Sequence, residues 1–137
     1  MIDELTVELQ KMPQVDCPIV NHFAPGIYAR EMTIPAGVVL TGAVHKTEHL
    51  NIISAGRIVV AGNGTRTEIV APCTFVSKPG TQRAGYALET TVWTTIHATE
   101  ETDIDKLVAL LTESTNAQLL GGPENLQLMA NQLKVED

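Results

Sequence analysis

Basic side chains are scarce in this chain. Nine Lys and Arg stand against sixteen Asp and Glu, giving a formal net charge of −7 at pH 7. A general nucleic-acid binder needs a clustered basic surface to neutralise phosphates. Here the nine are scattered, which argues against that class and against a polybasic membrane tract. No apolar run approaches the roughly 20 residues of a spanning helix, so no membrane partner is expected. Cysteine is nearly absent. Cys17 and Cys73 are the only two, and their separation fits no metal-finger spacing. Without a secretory signal they read as reduced packing residues. The opening MIDELTVELQ is acidic, unlike a signal or transit peptide, so the expectation is a cytoplasmic chain. In that setting the acceptor pattern Asn63-Gly64-Thr65 carries no meaning. Aromatic residues make up 4% of the chain, and Trp93 and Phe75 are expected in the core.

What is present is an order of turns. At 137 residues the chain is expected to be a single domain with a real core. Ile2, Leu5, Leu9 and Met12 recur at helical spacing, so an N-terminal helix is expected within 1–13, ended by Pro13. From residue 18 to 99 turn signals arrive at short intervals: Pro25-Gly26, Pro35-Ala36-Gly37, Ala55-Gly56, Gly62-Asn63-Gly64, Pro72 and Pro79-Gly80. Between them lie runs rich in Val, Ile, Thr and Tyr at 27–34, 38–45, 57–61, 66–70 and 90–97. Many short strands at this spacing indicate an all-β sandwich or barrel. Two C-terminal helices are expected over 102–134. The first carries Ile104, Leu107, Val108 and Leu111, with Thr102 and Asp105 as a capping box. The second follows Gly121-Gly122-Pro123 and carries Leu126, Met129, Ala130 and Leu133.

The centre of interest is 37–56, GVVLTGAVHKTEHLNIISAG, which holds His45 and His49. Its spacing resembles the first motif of the cupins: glycine, five residues, His-x-His, three or four residues, glutamate, six residues, glycine. Gly37, Ala43-Val44-His45, His49 and Gly56 keep that spacing, with Ala43 in place of the first histidine and His49 in place of the glutamate. A weaker second motif resembles 78–83, where Gly80 matches and Arg83 stands in a histidine position. The resemblance spans about 27–98. It implies a double-stranded β-helix, a jelly-roll barrel. It also implies a small-molecule ligand inside the barrel, a divalent metal (Zn, Fe, Ni or Mn), and, if there is catalysis, an isomerase, lyase or oxygenase. Cupins commonly pair, and apolar stripes on the terminal helices would suit a homo-oligomer.

The residues give their own reading. In an unbroken strand His45, Thr47 and His49 share one face, while Lys46 and Glu48 take the other. His97 shares a face with Trp93 and Thr95 on a later strand. Neutral imidazoles converging in a barrel suit a transition metal with positions left open. His45, His49 and His97 are therefore the candidate metal ligands. His22 reads as a loop or edge residue. A cation at Arg83 would need an anion, either Glu89 or Glu48, or a ligand carboxylate or phosphate. Tyr28, Arg30, Gln82 and Tyr86 are further candidate lining residues; of these Tyr28 and Tyr86 join Arg83 as candidate substrate contacts. Glu48 and Glu89 are candidate acid–base groups.

Three functional classes remain open: a metal-dependent enzyme, a ligand-binding or sensing cupin without catalysis, and a structural or assembly oligomer. A minor fourth reading takes His45-Lys46-Thr47-Glu48-His49 as the HxxEH pattern of a metallopeptidase. That pattern needs a helix, and the flanking Val, Ile and Gly residues make poor helix company.

Overall fold

The computed structural model describes residues 15–42, 45–62, 64–112 and 126–129. The expected N-terminal helix lies outside them. The described chain folds as β1 (Val15–Asp16), β2 (Ile19–Ala24), β3 (Ile27–Ile34), β4 (Val38–Thr41), β5 (His49–Ala55), β6 (Arg57–Gly62), β7 (Thr65–Val70), β8 (Cys73–Ser77), β9 (Ala84–Ala87), β10 (Thr91–Ala98), α1 (Ile104–Leu111) and β11 (Leu126–Met129). The strands form two antiparallel sheets. One runs β1-β11-β4-β9-β6-β7 and the other β2-β3-β10-β5-β8. The expected all-β double-stranded helix is the observed fold.

Two local expectations change. Residues 126–129 form a strand that pairs with β4 and β1 rather than the start of a second C-terminal helix. The segment reads Leu-Gln-Leu-Met, and its short alternation outweighed the helical spacing further along. The first C-terminal helix is present, but its cap is Asp103 rather than Thr102. The Asp103 carboxylate accepts from the Asp105 amide at 3.0 Å, which satisfies one of the amides left open by the first turn. Among the described residues no helix is long and apolar enough to cross a membrane.

Glycines set the corners. Gly37, Gly56 and Gly80, the three motif glycines, all have positive φ, at 87°, 92° and 84°, where a Cβ is strained. Gly56 is doubly constrained, since a Cβ there would collide with the Thr90 carbonyl oxygen.

Strand register sorts the side chains. Across the five-stranded sheet the inward rows read Met32–Trp93–Ile53–Cys73, then Arg30–Thr95–Asn51–Phe75, with Tyr28, His97, His49 and Ser77 beyond them. The apolar end is closed by Cys17, Ile34, Val38, Leu40, Ile58, Val60 and Ala87. The other end is polar and holds the histidines. There α1 lays Leu107 and Leu111 against Tyr28.

Ile53 has no solvent exposure and sits between the two ends. Ile53→Ala is expected to lower the unfolding free energy by about 2–5 kcal/mol, read as a lower urea midpoint at an unchanged slope.

Candidate functional site

Three segments bring the histidines together. His97 stands near the end of β10, His49 opens β5, and His45 lies in the connection between β4 and β5, where it bridges Thr112 just past α1. The strand expected over 38–45 stops at Thr41, so His45 and His49 do not share one continuous strand. Their rings still meet. Ring centroids are 4.4 Å apart for His45–His49, 4.7 Å for His49–His97 and 5.6 Å for His45–His97. No helix carries the HxxEH pattern, which removes the metallopeptidase reading.

The ring nitrogens are unequal. His49 Nδ1 lies 3.1 Å from the Thr47 carbonyl oxygen. A carbonyl can only accept, so Nδ1 carries the proton and Nε2 keeps its lone pair. His97 is 3% exposed, and its buried Nδ1 has no hydrogen-bond partner. An unpaired polar atom inside a protein is costly. Burial pushes the His97 pKa down to about 3, helped by the neighbouring His49, His45 and Arg30. Burial also lowers the pKa of His49, and Arg83 adds to the effect against the Thr47 carbonyl. His49 and His97 are thus held neutral, the form in which imidazole binds metals. The rings meet face to face or tilted, and among the described residues no set of three His, Cys, Asp or Glu side chains is already arranged to ligate an ion. The donor chemistry fits a metal; the ring orientation of this state is not yet that of a ligand set.

Around the cluster runs a polar scaffold that the sequence did not announce. Asn51, 1% exposed, donates to Ser77 Oγ at 2.8 Å and accepts from Trp93 Nε1 at 3.0 Å. Ser77 Oγ also accepts from the Arg83 guanidinium. That guanidinium lies over the Phe75 ring, 5.1 Å from its centroid, as a cation–π pair does. Tyr28 stacks between Phe23 and His97, at 5.1 and 6.0 Å, and its hydroxyl donates to the Asn21 side-chain oxygen. A cleft of about 370 Å³ opens beside Arg83, between the β6–β7 hairpin and the segment from Phe75 to Arg83.

Other candidates lie elsewhere. Glu48 is exposed and accepts from Lys78 at 3.0 Å. Glu89 is exposed and pairs with Arg57 at 3.7 Å. Neither carboxylate faces the lumen, and neither pairs with Arg83. Tyr86 is 38% exposed and aligns with Val39 and Val59 on the outward face of its sheet. His22 is an exposed residue of β2, 3.1 Å from Glu31. Tyr28 and Arg83 are the substrate candidates that flank the histidines.

No known family profile and no curated protein sequence matches the chain. Solved structures do. The cupin domain of Schizosaccharomyces pombe Cnp3 superposes with a TM-score of 0.51 at 17% identity, over 59% of this chain and 64% of that one. The fold is that of a cupin. A Cupin 2 conserved barrel domain protein from Salinispora arenicola superposes with a TM-score of 0.51 at 13% identity, covering 64% and 82% of the two chains. A mutant of salicylate 1,2-dioxygenase from Pseudoaminobacter salicylatoxidans gives 0.58 at 12% identity, over 80% of this chain and 34% of the enzyme. The chain thus spans less than two thirds of the Cnp3 domain and about a third of the dioxygenase. Identities this low establish the cupin barrel and leave its chemistry to the residues.

The buried neutral histidines set a pH dependence. The His97 pKa in the fold lies below the ~6.5 of an unfolded His, so as pH falls the unfolded chain takes up the proton first. Stability is expected to be fully present above about pH 6.5 and to fall toward about pH 3, by up to roughly 1.4 kcal/mol per pH unit for the one group. Denaturant melts across this range on metal-free protein check it, and His97→Gln is expected to flatten the slope.

Proposed function

We propose that this cupin-fold protein binds a divalent transition metal through His45, His49 and His97 and receives a small polar molecule beside it. The observation that carries the reading is the buried His97 Nδ1 with no partner, beside His49, whose imidazole burial likewise holds neutral. That Nδ1 would gain its missing interaction from a bound metal ion. His49 supports it, since its Nδ1 bond to Thr47 fixes the tautomer that leaves Nε2 for a ligand. Rotation about the His χ2 torsion, which is broad, separates the present ring arrangement from a loaded one. A bound Zn, Fe, Ni or Mn would supply Lewis acidity or, for the redox-active ions, electron transfer. The chain's own residues do the rest. Tyr28 walls the site, Leu107 and Leu111 of α1 exclude water from that side, and the cleft beside Arg83 admits the ligand.

A second reading, binding or sensing without turnover, is favoured by one observation. Glu48 and Glu89 face outward, so neither supplies a lumenal carboxylate for proton transfer. Among the described residues the histidines and Tyr28 are the groups that an isomerase or lyase would have to use instead.

Metal analysis of protein purified without a histidine tag is expected to give about one ion per chain, with loss of the ion in His49→Ala and His97→Ala. Metal content unchanged in both variants contradicts the reading. We also retain a homo-oligomer as a proposal. Ala29, Ile96, Leu50 and Val76 form one outward row across four strands, and Leu50 and Val76 are 43% and 49% exposed. Light scattering is expected to return a multiple of the chain mass, and Leu50→Lys is expected to lower it; a monomer for the unaltered chain contradicts the proposal.

A further inference from the structure

Arg30 is the residue the metal reading leaves unused. It lies on β3 between Tyr28 and Ile34, two buried residues of the same face. Its neighbours in register are Thr95 on β10 and Asn21 on β2. The guanidinium is within electrostatic reach of Tyr28, of the fully buried Cys17 and of His97. It therefore reaches into the interior rather than outward to water. Among the described residues no carboxylate pairs with it. The acidic side chains that pair do so outside the lumen, Glu31 with His22, Glu48 with Lys78, and Glu68 and Glu89 with Arg57.

Arg83, partly buried and within electrostatic reach of His49, likewise has no carboxylate partner among the described residues. Its contacts are the Ser77 hydroxyl and the Phe75 ring, and neither is an anion. The cleft that Arg83 lines adds Lys78, Gln82, Thr65, Thr67 and Thr81, and no acidic residue. Two guanidinium groups without a counter-charge among the described residues, one at the cleft and one in the interior, are costly to hold in a fold. Their planar forks match an oxyanion in two-pronged contact.

We propose that the small molecule taken by this barrel is an organic anion bearing a carboxylate or phosphate head, with Arg30 and Arg83 as its two cationic contacts. The proposal deepens the ligand reading above and is independent of whether the metal is present. Arg83 meets the anion at the cleft, and Arg30 receives it deeper, one row from the histidines. The size of the cleft suits a compound of a few carbons rather than a polymer.

The test is calorimetric titration of metal-free full-length chain with succinate, with inorganic phosphate, and with the neutral succinamide. Binding of succinate or of phosphate, weakened by added salt, with no binding of succinamide is expected. Preference between the two anions decides carboxylate against phosphate. Arg30→Gln and Arg83→Gln are each expected to weaken the anion at least about tenfold, as loss of a charged hydrogen bond does. Arg66→Gln, on the exposed face of β7, is expected to leave it unchanged. Arg30→Lys keeps the charge and loses the fork, so it is expected to fold and to bind at intermediate affinity should Arg30→Gln fail to fold. Equal binding of succinamide, unaltered anion affinity in both arginine variants, or no anion binding by the unaltered chain at millimolar concentration overturns the proposal. Metal content measured on the same preparations separates this result from the fate of the histidine site.

Discussion

His97 is fixed by the strands on either side of β10, and at that position its Nδ1 is cut off from water and from every described protein acceptor. Much of the polar end of the barrel follows from this confinement. A protonated ring would place a charge beside His45, His49 and Arg30 in a region of low dielectric, and the proton is therefore excluded. The neighbours adapt to a neutral ring. His49 turns its proton toward the Thr47 backbone, Tyr28 stacks on one side, and α1 seals the end with Leu107 and Leu111. The result is a buried pair of neutral imidazoles, with the Nε2 lone pair of His49 and the unpartnered Nδ1 of His97 shielded from water.

The distribution of charge sharpens this picture. The chain is acidic as a whole, at −7, yet among the described residues the carboxylates that pair with Lys or Arg do so away from the lumen. Inside are histidines, hydroxyls, amides and the two arginines. So many polar groups are not what core packing requires, since apolar residues of similar volume would hold the barrel at less cost. Asn51 indicates how much the polar interior is organised: its amide connects Trp93 to Ser77, and Ser77 in turn receives Arg83. The arginine is thus held in place by the fold itself.

Much of the fold was legible because turns are local. The glycines at 37, 56 and 80 mark positions of positive φ, and a backbone requirement of that kind is readable from glycine spacing alone. The strands between turns followed from β-branched runs. The misreadings had physical causes as well. Residues 126–129 have both a helical and an alternating apolar pattern, and pairing with β4 decided for strand. The approach of His45 to His49 was read from an unbroken strand, whereas it comes from a bend that α1 anchors through the Lys46 amide and the Leu111 carbonyl at 2.7 Å. Glu48 was placed opposite the histidines by alternation, and it does turn away, toward Lys78. The Arg30 signal was weak because a charged residue in a strand ordinarily faces water. Only the register with Thr95 and Asn21 shows it on the inward face. Asn51 and Ser77 carry no motif at all.

The most direct measurement of the central claim is anomalous diffraction from crystals of the metal-loaded protein, collected above and below the absorption edge of the ion. A single peak about 2.0–2.1 Å from one nitrogen of each ring at His45, His49 and His97 is expected. Crystals in which the three rings keep their close packing with no anomalous peak among them, at metal concentrations that saturate the protein, would contradict it.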